Sequence, residues 1–260
     1  MTVALITGAS MGLGEEFARQ LAARKMDLVL TARSEDKLRA LAAELSRAHG
    51  IKAHVLACDL SCEGAPQRIL DFLTGNNLRV SWLINNAGFG VIGPLEEMDA
   101  RRVREMISLN VLALVELTQL LLPQLRQADD ARIINVASTA AFQPIPQFNV
   151  YAATKVFVLH FSEALSEELK GSHIRVLCLC PGPTPTQFHV AAGIDARLFN
   201  QGQTAQQVVR MGIRGSDRGR TVIVCQRVWT NLLIRFTPRI IVRKVAGIIG
   251  KFMVNQSRKK

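Results

Sequence analysis

The amino-acid sequence predicts an α/β fold: a single doubly wound domain in which a seven-stranded, mainly parallel sheet has helices on both faces. Short, nearly all-apolar runs recur along the chain, and longer segments with helical periodicity separate most of them. Strands that are apolar at almost every position are typical of parallel sheets buried between helical layers. The 260 residues are 48% hydrophobic and show no fixed-period repeat or low-complexity linker, so they are enough for one large core.

Seven apolar runs are predicted to be strands. In chain order they are residues 3–7, 27–31, 53–57, 81–84, 132–137, 174–180 and 221–225. Predicted helices between them include residues 14–24, 36–48, 99–122 and 150–170. A further helix is predicted from Thr204, where Thr204 and Gln207 have the spacing of a capping box.

Charge and cysteine content narrow the functional classes. The formal charge is +11, but 11 of the 32 Lys and Arg residues follow Asp217 and no acidic residue does, which leaves 21 basic and 21 acidic residues up to that point. A basic C-terminal segment with few aromatic residues does not predict a nucleic-acid surface.

The five cysteines are odd in number and no Cys/His cluster has metal-ligand spacing, so we expect reduced thiols and no metal site. The N-terminus lacks the basic region of a signal peptide, which favours a cytoplasmic protein.

The residues after the first two predicted strands have the features of a nucleotide site. Residues 7–14, TGASMGLG, form a glycine-rich turn into a helix, whose amides and dipole suit a pyrophosphate. The alternative is an ordinary strand-to-helix turn. Arg33 follows the second strand, where an NAD site carries an acidic residue, and an arginine there suits the 2′-phosphate of NADP. The alternative is a solvated arginine at a helix start.

Polar or backbone-exposing residues also follow the next four strands. Asp59 and Leu60 follow the third, residues 85–88 (NNAG) the fourth, Ser138 the fifth and residues 181–186 (PGPTPT) the sixth. Ligands of doubly wound sheets bind outside the carboxyl ends of the strands. An isolated aspartate after a strand is usually a turn former, but six successive strand ends of this kind predict one binding crevice.

Tyr151 and Lys155 are the predicted centre of the chemistry. They lie four residues apart near the start of a predicted helix, so their side chains share one face. Because a nearby cation favours the phenolate, Lys155 is expected to lower the pKa of Tyr151 toward the range of general acid/base catalysis. The alternative is an ordinary half-exposed Tyr/Lys pair.

The motifs TGASMGLG, NNAG, Ser138, YAATK and PGPTPT occur in the order and spacing of the short-chain dehydrogenase/reductase family, which residues 2–188 resemble. The resemblance implies a Rossmann-type domain and a catalytic tetrad of Asn110, Ser138, Tyr151 and Lys155. Tyr151 is expected to exchange a proton with the carbonyl oxygen, and Ser138 to hydrogen-bond that oxygen. Lys155 is expected to bind the nicotinamide ribose, and Asn110 to hold a water molecule of a proton relay.

The resemblance also implies an NADP(H) site. Its expected members are Gly8, Ser10, Leu13 and Gly14 at the pyrophosphate; Arg33 at the 2′-phosphate; Asp59 and Leu60 at the adenine; Asn86, Ala87 and Gly88 at the adenosine side and the nicotinamide ribose; Tyr151 and Lys155; and Pro181, Gly182, Thr184 and Thr186 at the nicotinamide end. Two positions depart from the family pattern. Met11 stands where many NADP-using members have a basic residue, so Arg33 is expected to carry most of the phosphate recognition. Thr184, flanked by two prolines, replaces the usual valine or isoleucine.

The predicted function is that of an NADP(H)-dependent oxidoreductase that reduces an apolar ketone or acyl-type carbonyl. Substrate choice is expected in the loop after Gly88, in residues 139–149 and in a lid, residues 187–211. Phenylalanines in or beside these segments suggest an apolar pocket, although each could instead be core: they are Phe89, Phe142, Phe148, Phe188 and Phe199. The alternatives are a 3-oxoacyl-thioester reductase of fatty-acid synthesis and a non-catalytic, cofactor-binding scaffold or sensor at a membrane.

Residues 227–260 are predicted to be a basic amphipathic extension that follows a domain of residues 1–226. Within residues 239–254, basic and aliphatic side chains occupy opposite helical sectors, which suits peripheral contact with a membrane surface. The segment is too interrupted by charge to span a membrane, and the alternative is that its apolar face packs on protein. The family resemblance implies a homodimer or homotetramer built on residues 99–122 and 150–170, with no nucleic-acid partner.

Overall fold

The computed structural model describes residues 2–188 and 202–225, and this part of the chain folds around one seven-stranded sheet. The strands are β1 Thr2–Thr7, β2 Asp27–Ala32, β3 Ala53–Ala57, β4 Arg79–Asn85, β5 Ala131–Val136, β6 Ile174–Pro181 and β7 Val222–Cys225. All neighbouring pairs are parallel, in the order β3-β2-β1-β4-β5-β6-β7. The predicted doubly wound fold with seven strands is confirmed, and each predicted strand is found within two residues of its expected ends.

The α-helices of the described residues connect these strands. They are α1 Gly12–Ala23, α2 Glu35–His49, α3 Ala65–Gly75, α4 Ala100–Ile107, α5 Ala113–Leu125, α6 Asn149–Glu168 and α7 Ala205–Asp217. The helix predicted over residues 99–122 is found as Ala100–Leu125, in which a π-helical turn, Ser108–Leu112, lies between α4 and α5. The capping box predicted at the start of α7 is confirmed, because the side chains of Thr204 and Gln207 each bond the backbone amide of the other.

The helices bury both faces of the sheet. Helices α1, α2 and α7 contribute Phe17, Leu38 and Ile213 to the core on one face. Helices α3 and α5 contribute Ile69 and Leu121 to the core on the other. These side chains are at most 1% exposed, so the apolar strands lie between two dry layers, as their composition predicts.

The α4–α5 unit, Ala100–Leu125, is the one helix among the described residues that is long and apolar enough to cross a membrane. One side of it belongs to the core, although Ile107 and Leu112 are exposed. Leu117, Leu121 and Leu125 are at most 1% exposed and pack against the sheet.

The order of the strands places a crevice between β1 and β4. From β1 the chain proceeds to β2 and β3 on one side, and then returns to β4 and continues to β7 on the other. The loops after β1 and β4 therefore diverge at the carboxyl edge of the sheet. Such a topological switch point is where ligands of doubly wound folds bind.

Several sequence predictions concern residues outside the described part of the chain. They include most of the lid (189–201), with Phe199, and the basic extension (227–260), with its amphipathic segment (239–254). The domain boundary after residue 226 and the membrane contact stay predictions.

Candidate active site

A cleft of about 510 Å³ opens at the carboxyl edge of the sheet. All the sequence-predicted site residues line it except Gly14 and Asn110, which lie behind its wall. Those that line it are Gly8, Ser10, Leu13, Arg33, Asp59, Leu60, Asn86, Ala87, Gly88, Ser138, Tyr151, Lys155, Pro181, Gly182, Thr184 and Thr186. The six strand ends that the sequence singles out therefore form one site.

The Thr7 hydroxyl fastens β1 to β4 at the floor of the cleft. Thr7 Oγ1 accepts hydrogen bonds from the backbone amides of Asn86 and Ala87, both at 2.9 Å, and donates to the Ile84 carbonyl at 3.2 Å. The side-chain amide of Asn86 donates to the backbone carbonyls of Thr7 and Gly8 at 2.8 and 3.3 Å. These bonds make the turn after β1 and the turn after β4 a single unit.

Helix α1 begins at the cleft without a side-chain cap. Its N-cap residue is Met11, whose side chain makes no capping hydrogen bond. Gly14, in the first turn of the helix, packs directly on the Gly8 carbonyl: a Cβ atom at this position would overlap that oxygen and would lie 2.6 Å from Asn86 Nδ2. This close approach brings the positive end of the helix dipole to the cleft, where it suits an anionic pyrophosphate.

Arg33, Ser34 and Asp59 lie at the end of the cleft formed by β2 and β3. The Asp59 carboxylate accepts hydrogen bonds from the amide and the hydroxyl of Ser61, at 2.9 and 2.7 Å. Although burial opposes ionisation, these bonds and the Arg33 charge hold the pKa of Asp59 below its usual value. Arg33 is exposed and has no hydrogen bond or ion pair with another described residue, and the Ser34 hydroxyl does not cap α2. A guanidinium and a hydroxyl are thus available to a phosphate.

Lys155 is buried at the opposite end of the cleft. Its ammonium donates a hydrogen bond to the Val136 carbonyl at the end of β5, at 2.9 Å. Burial lowers the pKa of Lys155 to about 8, while the nearby thiols of Cys178 and Cys180 act in the opposite direction. At neutral pH the side chain is therefore mostly charged, and it is a hydrogen-bond donor inside the site.

Tyr151 is 5% exposed, and burial raises the pKa of its phenol well above the usual value for tyrosine. The nearby Ser138 side chain acts in the opposite direction. Lys155 Nζ lies 5.7 Å from the Tyr151 ring centroid. The prediction that Lys155 lowers the pKa of Tyr151 is wrong for this structure, because the loss of hydration on burial raises that pKa. The alternative of a half-exposed pair is also wrong, since Lys155 is only 4% exposed.

Asn110 lies in the π-helical turn between α4 and α5 and is 1% exposed. Its Oδ1 accepts from the Phe89 amide at 3.1 Å, and its Nδ2 donates to the Phe89 carbonyl at 2.9 Å and to Thr154 Oγ1 at 3.1 Å. Thr154 in turn donates to the Tyr151 carbonyl at 2.7 Å. Both amide hydrogens of Asn110 are used, so its side chain ties the loop after β4 to α6. The role of Asn110 in holding a relay water stays a prediction.

Apolar side chains surround Tyr151. Phe89, Ile145, Phe148 and Phe188 line the cleft and pack in one cluster with the phenol ring. Three of the phenylalanines suggested by sequence therefore form the expected apolar wall. Phe142 does not: it packs in a separate core cluster with Val158 and Leu159.

Sequence reasoning missed three contributors to this site. Ser34 could have been found, because a serine directly after Arg33 at a helix start is a typical N-cap residue. Nothing in the sequence identifies the hydroxyls of Thr7 and Thr154 as part of the site, since a threonine at a strand end or inside a helix has many ordinary roles. Among the described residues, no group of three or more His, Cys, Asp or Glu side chains could hold a metal ion.

Comparisons with known proteins point to one family. The sequence profile of the family described as short chain dehydrogenase matches residues 2–195. Sulfoacetaldehyde reductase 2 of Chromohalobacter salexigens is 37% identical over 188 residues, which are 72% of this chain and 74% of that protein. The very-long-chain 3-oxoacyl-CoA reductase of Bos taurus is 32% identical over 182 residues, 68% of this chain and 58% of that protein. A solved short-chain dehydrogenase from Sphingobium yanoikuyae, in complex with NADPH, has a TM-score of 0.82 and 33% identity, and the match covers 89% of this chain and 92% of that one.

The Thr7 hydroxyl generates a prediction about the stability of the cleft. Thr7→Val keeps the shape of the side chain but leaves the Ala87 amide without its acceptor, while the Asn86 amide keeps the Ile84 carbonyl at 3.0 Å. We therefore expect a loss of about 1–3 kcal/mol in the free energy of unfolding if the Ala87 amide finds no water. Urea denaturation measures it. Thr7→Ser retains the hydroxyl and serves as the control, with an expected loss below about 1 kcal/mol. Equal stability of the valine and serine variants would contradict the assignment.

Proposed function

This chain belongs to the short-chain dehydrogenase family, and from that premise we propose that it is an NADP(H)-dependent reductase of apolar ketones or acyl-type carbonyls. Members of this family act on alcohol and ketone groups with a nicotinamide cofactor. The observation that carries the proposal is the buried pair of Tyr151 and Lys155, with Ser138 lining the same end of the cleft, while Arg33 lines its other end.

The proposed chemistry assigns one task to each side chain at the reacting carbonyl. A bound reduced nicotinamide supplies the hydride. Ser138 donates a hydrogen bond to the substrate oxygen and orients it toward Tyr151. Tyr151, whose pKa is raised by burial, is protonated at neutral pH and gives its proton to that oxygen as the alcohol forms. Lys155, held at the Val136 carbonyl, supports the tyrosinate left behind and binds the ribose hydroxyls.

The proposed substrate is apolar next to its carbonyl, because Phe89, Phe148 and Phe188 form that part of the wall. A second candidate is a 3-oxoacyl thioester, which the name of the Bos taurus relative favours. The alignment spans little more than half of that protein, so its activity is only a guide. A non-catalytic scaffold is a weaker proposal, since such a protein has no need of a buried acid beside a buried cation.

We propose NADP rather than NAD because residue 33, at the adenosine end of the cleft, is an arginine and not an acidic residue. Arg33 and Ser34 are both unpaired there, and Asp59 is already satisfied by Ser61. A free guanidinium is suited to the 2′-phosphate. Met11 adds no charge, which leaves Arg33 as the main reader of that phosphate.

We propose a second copy of this chain as the protein partner. Among the described residues, five large apolar side chains are exposed, and three of them lie on neighbouring helical segments: Ile107 (40%), Leu112 (51%) and Phe157 (43%). Helix α6, which carries Phe157, packs beside α4 and the π-helical turn. Exposed large apolar side chains on neighbouring helical segments are typical of a subunit interface.

Tyr151→Phe tests the proposed function. Loss of the phenol removes the proton donor but leaves the cofactor cleft intact, so we expect the rate of NADPH-dependent ketone reduction to fall by about 10² to 10⁴. Steady-state kinetics on a panel of apolar ketones and a 3-oxoacyl thioester measure this fall and rank the two substrate classes. NADPH titration of the variant is the control, with an unchanged Kd expected. Comparable turnover by Tyr151→Phe would falsify the assignment.

Arg33→Ala tests the choice of cofactor. We expect the affinity for NADPH to fall by about tenfold, about 1.4 kcal/mol, and the affinity for NADH to stay unchanged, because only NADPH carries the 2′-phosphate. Equilibrium titration monitored by cofactor fluorescence measures both. Arg39→Ala is the matched control, since Arg39 is an exposed arginine on α2 that pairs with Glu35. Equal losses for NADPH and NADH in Arg33→Ala would contradict a phosphate role.

Phe157→Glu tests the proposed interface. A charge in the centre of the apolar face is expected to convert the oligomer to monomers, which sedimentation velocity detects at a protein concentration where the wild type is associated. Leu95→Glu places the same charge at another exposed apolar position, outside the two helices, and is expected to leave the association unchanged. A wild-type monomer, or a Phe157→Glu protein that still associates, would refute this interface.

A further inference from the structure

The ring of Phe148 stacks on the ring of Tyr151. The centroids are 4.3 Å apart and the planes differ by 21°. Phe148 is 5% exposed and is the residue directly before α6, so it covers the phenol from the start of the same helix. Phe188 contacts Tyr151 in a tilted arrangement at 5.5 Å. Water is thereby excluded from the stacked face of the phenol.

The backbone at Gly90 makes room for this stack. A Cβ atom at position 90 would lie 2.7 Å from two ring carbons of Phe148 and 3.1 Å from Tyr151 Cδ2. No side chain can therefore occupy position 90 unless Phe148 moves away from Tyr151. The loop after β4 is thus in direct contact with both rings.

The residue before Phe148 has an unusual backbone conformation. Gln147 has a φ of +64°, in the left-handed region that residues other than glycine rarely adopt. Its carbonyl accepts a hydrogen bond from the Gly93 amide at 2.8 Å, which ties it to the loop that contains Gly90. Its side-chain Oε1 is buried without a partner among the described residues. Such conformations persist where the surrounding structure holds them, and they are common at functional sites.

Few polar groups act on the phenol of Tyr151, whose surroundings are otherwise apolar. Within the described residues, those acting on the phenol are the Ser138 hydroxyl after β5, the Cys180 thiol of β6 and the ammonium of Lys155 on the same helix. No carboxylate of the described residues acts on it. The hydration of the phenol therefore depends on which apolar side chains cover it.

We propose that Phe148 is a positioning residue for Tyr151, which covers one face of the phenol ring, excludes water from it and holds it as a neutral proton donor. This role rests on the proposed function, in which Tyr151 protonates the substrate oxygen. The left-handed backbone at Gln147 places Phe148 against the Tyr151 ring, and Gly90 leaves the space for Phe148.

The experiment uses the fact that Tyr151 is the only tyrosine in the chain. Its ionisation can be read from the tyrosinate absorbance of the full chain, without cofactor or substrate. At about pH 11, about one unit above the pKa of an exposed tyrosine, we expect less than about one tenth of the wild-type protein to be tyrosinate. Phe148→Ala admits water to the ring, so we expect more than about half of it to ionise at the same pH. Near-ultraviolet circular dichroism of the same samples reports whether the fold is intact.

Two further variants make the test specific. Phe72→Ala removes the same phenyl group from α3, none of whose residues lines the cleft, and is expected to ionise like the wild type. Gly90→Ala forces Phe148 off Tyr151 without opening a cavity and is expected to ionise like Phe148→Ala, so it answers the question if Phe148→Ala unfolds. Folded Phe148→Ala or Gly90→Ala with wild-type ionisation would overturn the proposal. Because the readout needs no turnover, a protein without reductase activity could still show the predicted titration, which separates this inference from the proposed function.

Discussion

The loss of hydration at Tyr151 and Lys155 is the constraint on which the site depends. Burying a phenol and an ammonium together is unfavourable unless each finds a partner. At the carboxyl edge of the sheet, the Val136 carbonyl of β5 is the partner of the ammonium, and Ser138, which follows the same strand, acts on the phenol. Helix α6 then needs only its regular four-residue spacing to present both groups to one cleft.

Residues that touch no substrate are what keep this cleft rigid. Thr7 and Asn86 join the ends of β1 and β4, and Asn110 joins the loop after β4 to α6 through Phe89 and Thr154. Each of these side chains makes hydrogen bonds to backbone groups that lie outside the regular hydrogen-bonding pattern of a strand or helix. The irregular backbone around the cleft is thus stabilised by side-chain polar groups, as buried loop backbone requires.

The sequence predicted the sheet, the strand ends and the site residues because these are local properties. Apolar runs identify the buried strands, and the residue after each strand lies at the same edge by topology. The sign of the Tyr151 pKa shift was not predictable in this way, because it depends on Phe148 and Phe188, which approach through loops. The π-helical turn at Asn110 was also hidden, since its residues keep an ordinary helical pattern. The left-handed backbone conformation of Gln147 was not predictable either, because glycine or asparagine is the usual residue in that conformation.

The apolar wall around Tyr151 has two opposite electrostatic effects, and together they suit a proton donor. Before reaction, the low polarity disfavours the tyrosinate and keeps the phenol neutral. After proton transfer, the same low polarity strengthens the attraction between the tyrosinate and the Lys155 ammonium, because few water dipoles screen it. Lys155 must therefore carry its charge at the moment of transfer, and its pKa of about 8 permits this at neutral pH. An environment that opposes ionisation of the resting acid thus also stabilises its conjugate base once a cation lies beside it.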